Sequence, residues 1–237
     1  MGSIAVFERT EKKYILTLDQ KQALLSLIEK RLGTDKYSVS TVCSLYFDTP
    51  DYRLIRTSID KPIYKEKLRL RSYFTPDKNT TVFLELKKKY RGVVYKRRET
   101  MKYDKAMRYI NHGEKPKDTQ IMREIDYAMQ FYNNLAPRML IAYDRNAYFG
   151  LEDKNLRITF DMNLRYRDYE LDLSLGDYGK PIVDNNICIM EIKALKAMPL
   201  WLTEALSSLN IYPGSFSKYG TAYKIISKNN RGGEHCA

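Results

Sequence analysis

Residues 64–73 have the sequence YKEKLRLRSY, in which cations alternate with other residue types. Because side chains along a β-strand point to opposite faces in turn, this segment predicts a strand with two unlike faces. One face carries a row of four cations, Lys65, Lys67, Arg69 and Arg71. Such a row indicates either a binding surface for an anion or an edge strand that its lysines protect from aggregation.

Charged faces recur in the other segments with strand character. Besides residues 63–73, strands are predicted at 4–16, 38–48, 81–101, 138–149, 156–169 and 187–195. Several of these strands combine cations and carboxylates on one face, as in the pairs Glu11/Lys13, Glu85/Lys87 and Glu191/Lys193. This recurrence favours a binding surface over an edge strand.

The segment 81–101 is predicted to be a hairpin that turns near Arg91-Gly92. The phase of its return strand stays open at this point. Either of two pairs can share the charged face with Glu85, namely Lys96 with Arg98 or Arg97 with Glu99.

Helices are predicted at residues 18–32, 105–111, 120–135 and 199–209. Thr17 and Gln20 have the spacing of a capping box at the start of the first helix. Helices and strands do not alternate regularly, which argues against a doubly wound α/β sheet. We therefore expect an α+β protein, with an antiparallel sheet closed into a β-barrel (a tunnel) and flanking α-helices. Residues 4–227 are expected to form a single domain, and residues 228–237 a disordered tail.

Composition narrows the function classes. The chain has 237 residues, with 41 Lys and Arg against 29 Asp and Glu, a formal net charge of +12. This charge favours a polyanionic ligand, although a soluble protein with a basic surface is the alternative. Two His and three widely spaced Cys give little support to zinc, triad or disulfide chemistry and suit a reducing compartment, so we expect a cytoplasmic protein. No apolar run is long enough to span a membrane.

If the charged faces point into the barrel, the cations need a counter-ion, because burying unpaired charge costs several kcal/mol per ion. A polyanion with a divalent metal would supply it. Carboxylates are hard oxygen ligands for Mg²⁺ or Mn²⁺. Glu191 is the first candidate ligand, and the further candidates are Glu11, Glu85 and Asp161. For the last two, a salt bridge to a neighbouring cation is an equally good interpretation. Neither a P-loop nor a G-x-G-x-x-G motif occurs.

Eight segments of the chain together resemble a known family. In order they are ERTEKKY, SLYFDTPDY, KLRLRSY, VFLELKKK, RMLIAYDR, LRITFDMNL, IMEIK and SFSKYGT. The set extends over about residues 5–225 and resembles the VTC domain, a polyphosphate polymerase of the triphosphate tunnel metalloenzyme (CYTH-like) superfamily. The resemblance implies an antiparallel β-tunnel with flanking helices. It also implies polyphosphate synthesis from the γ-phosphate of ATP with Mn²⁺ or Mg²⁺.

The matching motifs and the strand faces together give the candidate site. The residues expected to act on the reacting phosphates are Lys13, Arg69, Arg71 and Lys218. The residues expected to bind further phosphates are Lys67, Lys87, Lys96, Arg98, Tyr143, Arg145, Lys193 and Ser217. The residues expected to hold the metal are Glu191, Glu11 and Glu85.

Two other functions stay open. One is a tunnel-type triphosphatase that hydrolyses triphosphate or ATP, although Arg9 stands where the superfamily pattern E-x-E-x-K has its first Glu. The other is a non-catalytic polyphosphate-binding module. The expected ligands are ATP and inorganic polyphosphate or pyrophosphate. Nucleic acid is not expected, because few Tyr share a strand face with the cations. No membrane segment is expected in this chain, and a membrane protein is one candidate partner. The sequence gives no indication of the oligomeric state.

Overall fold

The alternating segment at residues 64–73 forms the strand that its pattern predicts. In the computed structural model, which describes residues 10–133, 135–195 and 197–232 (the last three without their side chains), Tyr64–Tyr73 is one continuous strand. Leu68 and Leu70 are buried, whereas Lys67 and Arg69 on the other face are only partly covered. The pattern therefore gave both the element and its orientation.

The described part of the chain contains eleven strands and six α-helices. The strands are β1 Thr10–Thr17, β2 Leu32–Gly33, β3 Val39–Asp48, β4 Tyr64–Tyr73, β5 Thr81–Tyr90, β6 Val93–Lys102, β7 Ala136–Gly150, β8 Arg157–Arg167, β9 Lys180–Pro181, β10 Ile187–Ala194 and β11 Pro213–Gly214. The helices are α1 Leu18–Ile28, α2 Arg53–Ile59, α3 Tyr103–His112, α4 Gln120–Phe131, α5 Leu200–Ser208 and α6 Lys218–Gly232. Short 3-10 turns occur at Glu29–Arg31 and Leu173–Leu175.

The chain divides into two units. Unit 1 comprises the described residues up to Ser40, together with Tyr143–Leu164 and Val183–Phe216. Unit 2 comprises Thr41–Ala142, Arg165–Ile182 and the described residues from Ser217 onward.

Unit 1 has the strand order β11-β1-β10-β8, and β2 pairs with β7. The ladders are antiparallel, and the register of β1 on β10 places Lys13 opposite Glu191. One sheet face is apolar, and α1 and α5 pack against it through residues such as Leu24 and Leu202. The opposite face is left to the charged side chains.

Unit 2 has the strand order β3-β4-β5-β6, again antiparallel. Leu70 pairs with Leu45 on one side and with Leu84 on the other, which builds a continuous apolar face. Helices α3 and α4 cover this face through residues such as Ala106 and Ile125. Hydrophobic burial therefore fixes which face of each strand is inside, and the cations are left on the other face.

The α+β class and the antiparallel sheet with flanking helices are confirmed. The closed barrel is not confirmed, because the strand order within each unit is open. The prediction of a single domain over residues 4–227 stays a prediction, and residues 4–9 lie outside the described residues. Among the residues described, none of the helices combines the length and the apolar character needed to cross a bilayer.

The capping box predicted at the start of α1 is confirmed. Gln20 N donates to Thr17 Oγ1, and Thr17 N donates to Gln20 Oε1, both at 3.1 Å. The α-helix ends at Ile28 and passes through the 3-10 turn into β2, so it is shorter than the predicted 18–32.

Helices α2 and α6 were not predicted. The first has only seven residues, which is too short for a periodic signal. The second contains Gly220 and Thr221 in its first turn, both of which lower helix propensity. Its buried residues Tyr219, Ala222 and Ile226 nevertheless have helical spacing. The helix continues to Gly232, so residues 228–232 of the predicted disordered tail are helical, and residues 233–237 lie outside the described residues.

Asp48 explains how the short helix α2 is held. Its side chain is fully buried and accepts hydrogen bonds from the backbone N–H groups of Leu54 at 2.8 Å and Ile55 at 3.0 Å. Tyr219 Oη donates to the same carboxylate at 2.8 Å. Asp48 thus caps α2 from outside the helix and ties it to α6 within unit 2.

We expect Asp48→Ala to lower the free energy of unfolding by about 2 kcal/mol or more, because buried N–H donors lose their acceptor. Differential scanning calorimetry should show a fall in Tm of roughly 4 °C or more. Asp60→Ala is the control, since Asp60 is exposed at the other end of α2. Equal Tm values for the two variants would contradict the capping role of Asp48.

Candidate functional site

The charged face of unit 2 is organised around one carboxylate. Glu85 on β5 is only 1% exposed. Its Oε2 lies 2.7 Å from Arg69 Nη2 and 3.9 Å from Arg71 Nη1. Its Oε1 lies 2.7 Å from Lys96 Nζ and 2.6 Å from Arg98 Nη2. These five residues are termed the Glu85 cluster.

The register of three strands brings the Glu85 cluster together. Glu85 on β5 lies directly opposite Arg69 on β4 and Arg98 on β6. One register step along, Lys87 is flanked by Lys67 and Lys96 in the same way. The strand phase left open by the sequence is therefore resolved. Lys96 and Arg98 share the face of Glu85, whereas Arg97 pairs on the other side with Glu124 of α4 at 3.0 Å.

Positive charge is in excess in the Glu85 cluster, since one carboxylate faces four cations. Burial opposes ionisation of Glu85, but Arg69, Arg71 and Lys96 outweigh it and hold the pKa of this carboxyl well below its usual range. Burial, with repulsion from Arg98 and Arg71, lowers the pKa of Lys96 despite the bond to Glu85. The excess of four cations over one carboxylate favours the binding of a further anion.

Glu85 was predicted as a metal ligand. Both of its oxygens already accept hydrogen bonds from cations, so metal binding would require these bonds to break. The geometry instead favours a role in which Glu85 holds the cations in position. Metal binding by Glu85 stays a prediction.

Two aromatic residues that were not predicted support Arg69. Tyr46 Oη accepts a hydrogen bond from Arg69 Nη1 at 3.1 Å. The Tyr46 ring stacks on Tyr219 with 4.6 Å between centroids. Because Tyr219 is bonded to Asp48, the cap of α2 and the charged face share one chain of contacts. The SLYFDTPDY segment carries both Tyr46 and Asp48, but alternation alone gives no signal for their roles.

We expect Tyr46 to make anion binding sensitive to alkaline pH. Burial would raise its pKa, but Arg69, Arg71 and Lys67 lower the pKa of Tyr46 to about 8. One pH unit above that value about nine-tenths of the phenol is ionised, and the phenolate competes with phosphate for Arg69. Tripolyphosphate affinity, measured by calorimetry, should therefore fall by up to about tenfold between pH 7 and 9 and should fall much less in Tyr46→Phe.

The same shift has the opposite effect on folding. Because the pKa of Tyr46 is lower in the folded protein than its unfolded value of 10, ionisation of Tyr46 stabilises the folded protein as pH rises from 8 to 10, and this stabilisation is lost as pH falls through 8. The unliganded protein should therefore gain stability relative to Tyr46→Phe in that window. Tyr37→Phe, at an exposed position, is the control. Parallel affinity profiles in the wild type and Tyr46→Phe would contradict the competition.

The start of α6 contributes a hydroxyl to the same unit. Ser217 Oγ accepts from Lys67 Nζ at 3.3 Å and from Gly220 N at 3.2 Å. The next residue, Lys218, is the first of α6. Helix N-termini attract anions. Ser217 and Lys218 lie at the N-terminus of α6, which is consistent with the phosphate-binding roles predicted for them.

Unit 1 carries a second group of predicted residues. Arg145 on β7 makes a two-pronged bond to Asp161 on β8, at 2.7 Å and 2.9 Å. The guanidinium also lies over the Tyr143 ring, 5.2 Å from its centroid. Burial works against the charge, but Tyr143 and Asp161 raise the pKa of Arg145 above its ordinary value. The salt bridge that was one interpretation of Asp161 is present, and metal binding by Asp161 stays a prediction.

The best metal candidate lies on β10. Glu191 forms an ion pair with Lys193, and Glu11 Oε2 lies 4.0 Å from the same ammonium. Burial would raise the pKa of Glu191, but Lys193, Lys13 and Arg145 together lower it. Glu191, Glu11, Lys193 and Lys13 are termed the Glu191 cluster. Lys193, predicted to bind phosphate, is here paired with carboxylates, while Lys13 Nζ donates to the Phe216 carbonyl at 3.1 Å.

The oxygen atoms near Glu191 fit a hard divalent cation. Thr159 lies directly opposite Glu191 in the β8–β10 ladder, and its Oγ1 is buried without a hydrogen-bond partner among the described residues. Within the described ranges no three His, Cys, Asp or Glu side chains converge into a closed metal cage. An ion such as Mg²⁺ is commonly held by one or two carboxylates with substrate phosphates and water, which Glu191 and Glu11 can satisfy.

The comparisons with known proteins agree with this description. A family model described as the VTC domain matches residues 8–227. No curated protein matches the chain in sequence. A solved candidate adenylate cyclase from Bacillus halodurans has a similar fold, with a TM-score of 0.56 and 13% identity over 87% of this chain and 92% of that chain.

A candidate adenylyl cyclase from Hippeastrum, described as having a dominant triphosphatase activity, is also similar. Its TM-score is 0.53, with 16% identity over 88% of this chain and 92% of that chain. At these identities the two structures show a common fold and leave the activity of this chain open. The family match is different in kind, since it covers nearly the whole chain and confirms the resemblance found in its motifs. The chain belongs to the VTC domain family.

Proposed function

We propose that this protein is a polyphosphate polymerase that transfers the γ-phosphate of ATP onto a growing polyphosphate chain. The observation that carries the proposal is the Glu85 cluster, in which one buried carboxylate holds four cations on a single sheet face. Membership of the VTC domain family supports it. The closed β-tunnel expected from the sequence remains part of this proposal.

In the proposed reaction, a terminal phosphate oxygen of the chain attacks the γ-phosphorus of ATP. The bond from that phosphorus to the β,γ-bridging oxygen breaks, and ADP leaves with the electron pair. Phosphoryl transfer of this kind needs positioned positive charge rather than a covalent residue. Arg69, Arg71 and Lys96 are suited to bind the phosphate oxygens, because Glu85 fixes them before substrate arrives.

The start of α6 and the residues of unit 1 have supporting roles in the proposal. Lys218 and Ser217 would donate to a further phosphate at the helix N-terminus. Arg145 is held rigid by Asp161 and would bind phosphate through its remaining N–H groups. Glu191, with Glu11 beside it, would hold Mn²⁺ or Mg²⁺, and such an ion neutralises charge on phosphate oxygens when bound.

A triphosphatase is the second candidate. It is favoured by the triphosphatase activity described for the Hippeastrum structure. The same cations would serve both reactions, and only the attacking group differs, water in one case and a phosphate chain in the other.

The products separate the two candidates. The protein should be incubated with ATP and Mn²⁺, and the products resolved on a polyacrylamide gel. A polymerase gives a ladder of phosphate chains, and the ladder should disappear after treatment with an exopolyphosphatase. Release of single phosphates without a ladder would reject the polymerase and support the hydrolase.

A further inference from the structure

A second cationic site lies at the end of β4 and β5, beyond the Glu85 cluster. A cavity of about 370 Å³ in unit 2 is lined by four cations, Lys61, Lys65, Lys89 and Arg91. No carboxylate is among its lining residues. The Glu85 cluster differs in this respect, because its cations already share a carboxylate.

The cations of this cavity repel one another. Burial lowers the pKa of Lys65, and the neighbouring ammonium groups of Lys89 and Lys61 lower it further. Lys65 donates to the Ser58 carbonyl at 3.1 Å, which holds it at the cavity wall. The backbone also contributes to the shape, because Arg91 and Gly92 both have positive φ in the turn and Arg91 N donates to the Ile63 carbonyl at 3.0 Å.

The cavity continues the cation row of β4. Lys65 lies on the same face as Arg69 and directly opposite Lys89 on β5. Four residues of a strand span roughly 13 Å, so the cavity lies beyond the phosphates that Arg69 is proposed to bind. A triphosphate centred on the Glu85 cluster would leave most of the cavity empty, whereas a longer linear polyanion can follow the row from one place to the other.

From this geometry we infer that the cavity lined by Lys61, Lys65, Lys89 and Arg91 binds the distal part of a polyphosphate chain. The inference rests on the proposed function for the identity of its ligand. It goes beyond that function because it assigns binding of the chain to residues other than those proposed to bind the reacting phosphates. The site should therefore make affinity depend on chain length.

The test is a binding experiment with the double variant Lys89→Gln/Arg91→Gln, in the absence of ATP and metal. Both residues are exposed, so folding should be preserved, which the unchanged Tm can verify. Affinity for long-chain polyphosphate should fall about tenfold, while affinity for tripolyphosphate should stay within about twofold. The salt dependence of long-chain binding should also become shallower.

Lys78→Gln/Lys105→Gln is the matched control. It removes the same charge from exposed positions in the same unit, and Lys78 precedes the other end of β5. An equal loss for tripolyphosphate and long chains, or an equal loss in the control, would overturn the inference. Tighter binding of single-stranded DNA than of long-chain polyphosphate at this site would also overturn it. This binding experiment measures no turnover, so it is independent of the test for a polymer ladder. If no ladder forms but the affinity still depends on chain length, the polymerase is rejected and this inference stands.

Discussion

Replacing Arg69 by Gln should reduce phosphate transfer from ATP by about 100-fold or more, the scale found for other fixed charge-stabilising groups. Arg69 is held by contacts on two sides. It bonds to Glu85 through two nitrogens and to Tyr46 through a third. Its loss removes a fixed positive charge and releases Glu85 Oε2, so both phosphate binding and the position of the other cations are affected.

The matched control is Arg97→Gln. Arg97 lies next to Arg98 on β6, but it points to the opposite face and pairs with Glu124. This partly exposed ion pair is worth about 1 kcal/mol, so the variant should fold and turn over normally. Arg69→Lys is a second variant that keeps the charge and loses the two-pronged geometry, and we expect intermediate activity. Equal rates for Arg69→Gln and Arg97→Gln would contradict the assignment of the charged face.

The secondary structure was predictable where burial of one face gives the sequence a regular alternation of apolar and polar residues. The alternation at residues 64–73 gave β4 and its orientation, because a register slip would expose Leu68 and Leu70. Helix α2 was not predictable, since its stability comes from the carboxylate of Asp48 before the helix starts. Helix α6 was hidden by Gly220, although tertiary packing of Tyr219 overrides the local preference.

The candidate site was predictable at the level of residue type and face. The sequence placed Arg69 and Glu85 each on the charged face of its own strand, but it could not show that the two residues oppose each other or that Glu85 is saturated by four cations. The number of cations that contact Glu85 depends on the positions of the terminal atoms of long side chains. The alternation of a strand determines only the face on which each side chain lies. The role of Tyr46 was missed for the same reason. The hydroxyl of Thr159 has no sequence signal at all, because its only distinguishing property is the lack of a partner among the described residues.

Glu191→Gln should abolish metal-dependent transfer, again by about 100-fold or more, while metal-free polyphosphate binding is retained. The substitution keeps the size of the side chain and removes the charge that a hard cation needs. It also removes the partner of Lys193, so net positive charge increases and polyanion binding has no reason to weaken. Titration with Mn²⁺ in the presence of tripolyphosphate should show weaker metal binding in the variant.

Two further variants make this experiment specific. Glu204→Gln, exposed on α5 in the same unit, should leave both turnover and Mn²⁺ affinity unchanged. Glu11→Gln should weaken Mn²⁺ binding less than Glu191→Gln does, because the Glu11 side chain is more exposed to solvent than that of Glu191. Normal turnover in Glu191→Gln would remove Glu191 from the metal site. Intact polyphosphate binding in a wild-type protein that shows no turnover with any divalent metal would instead identify a binding module, in which the same cations hold a chain that the protein does not extend.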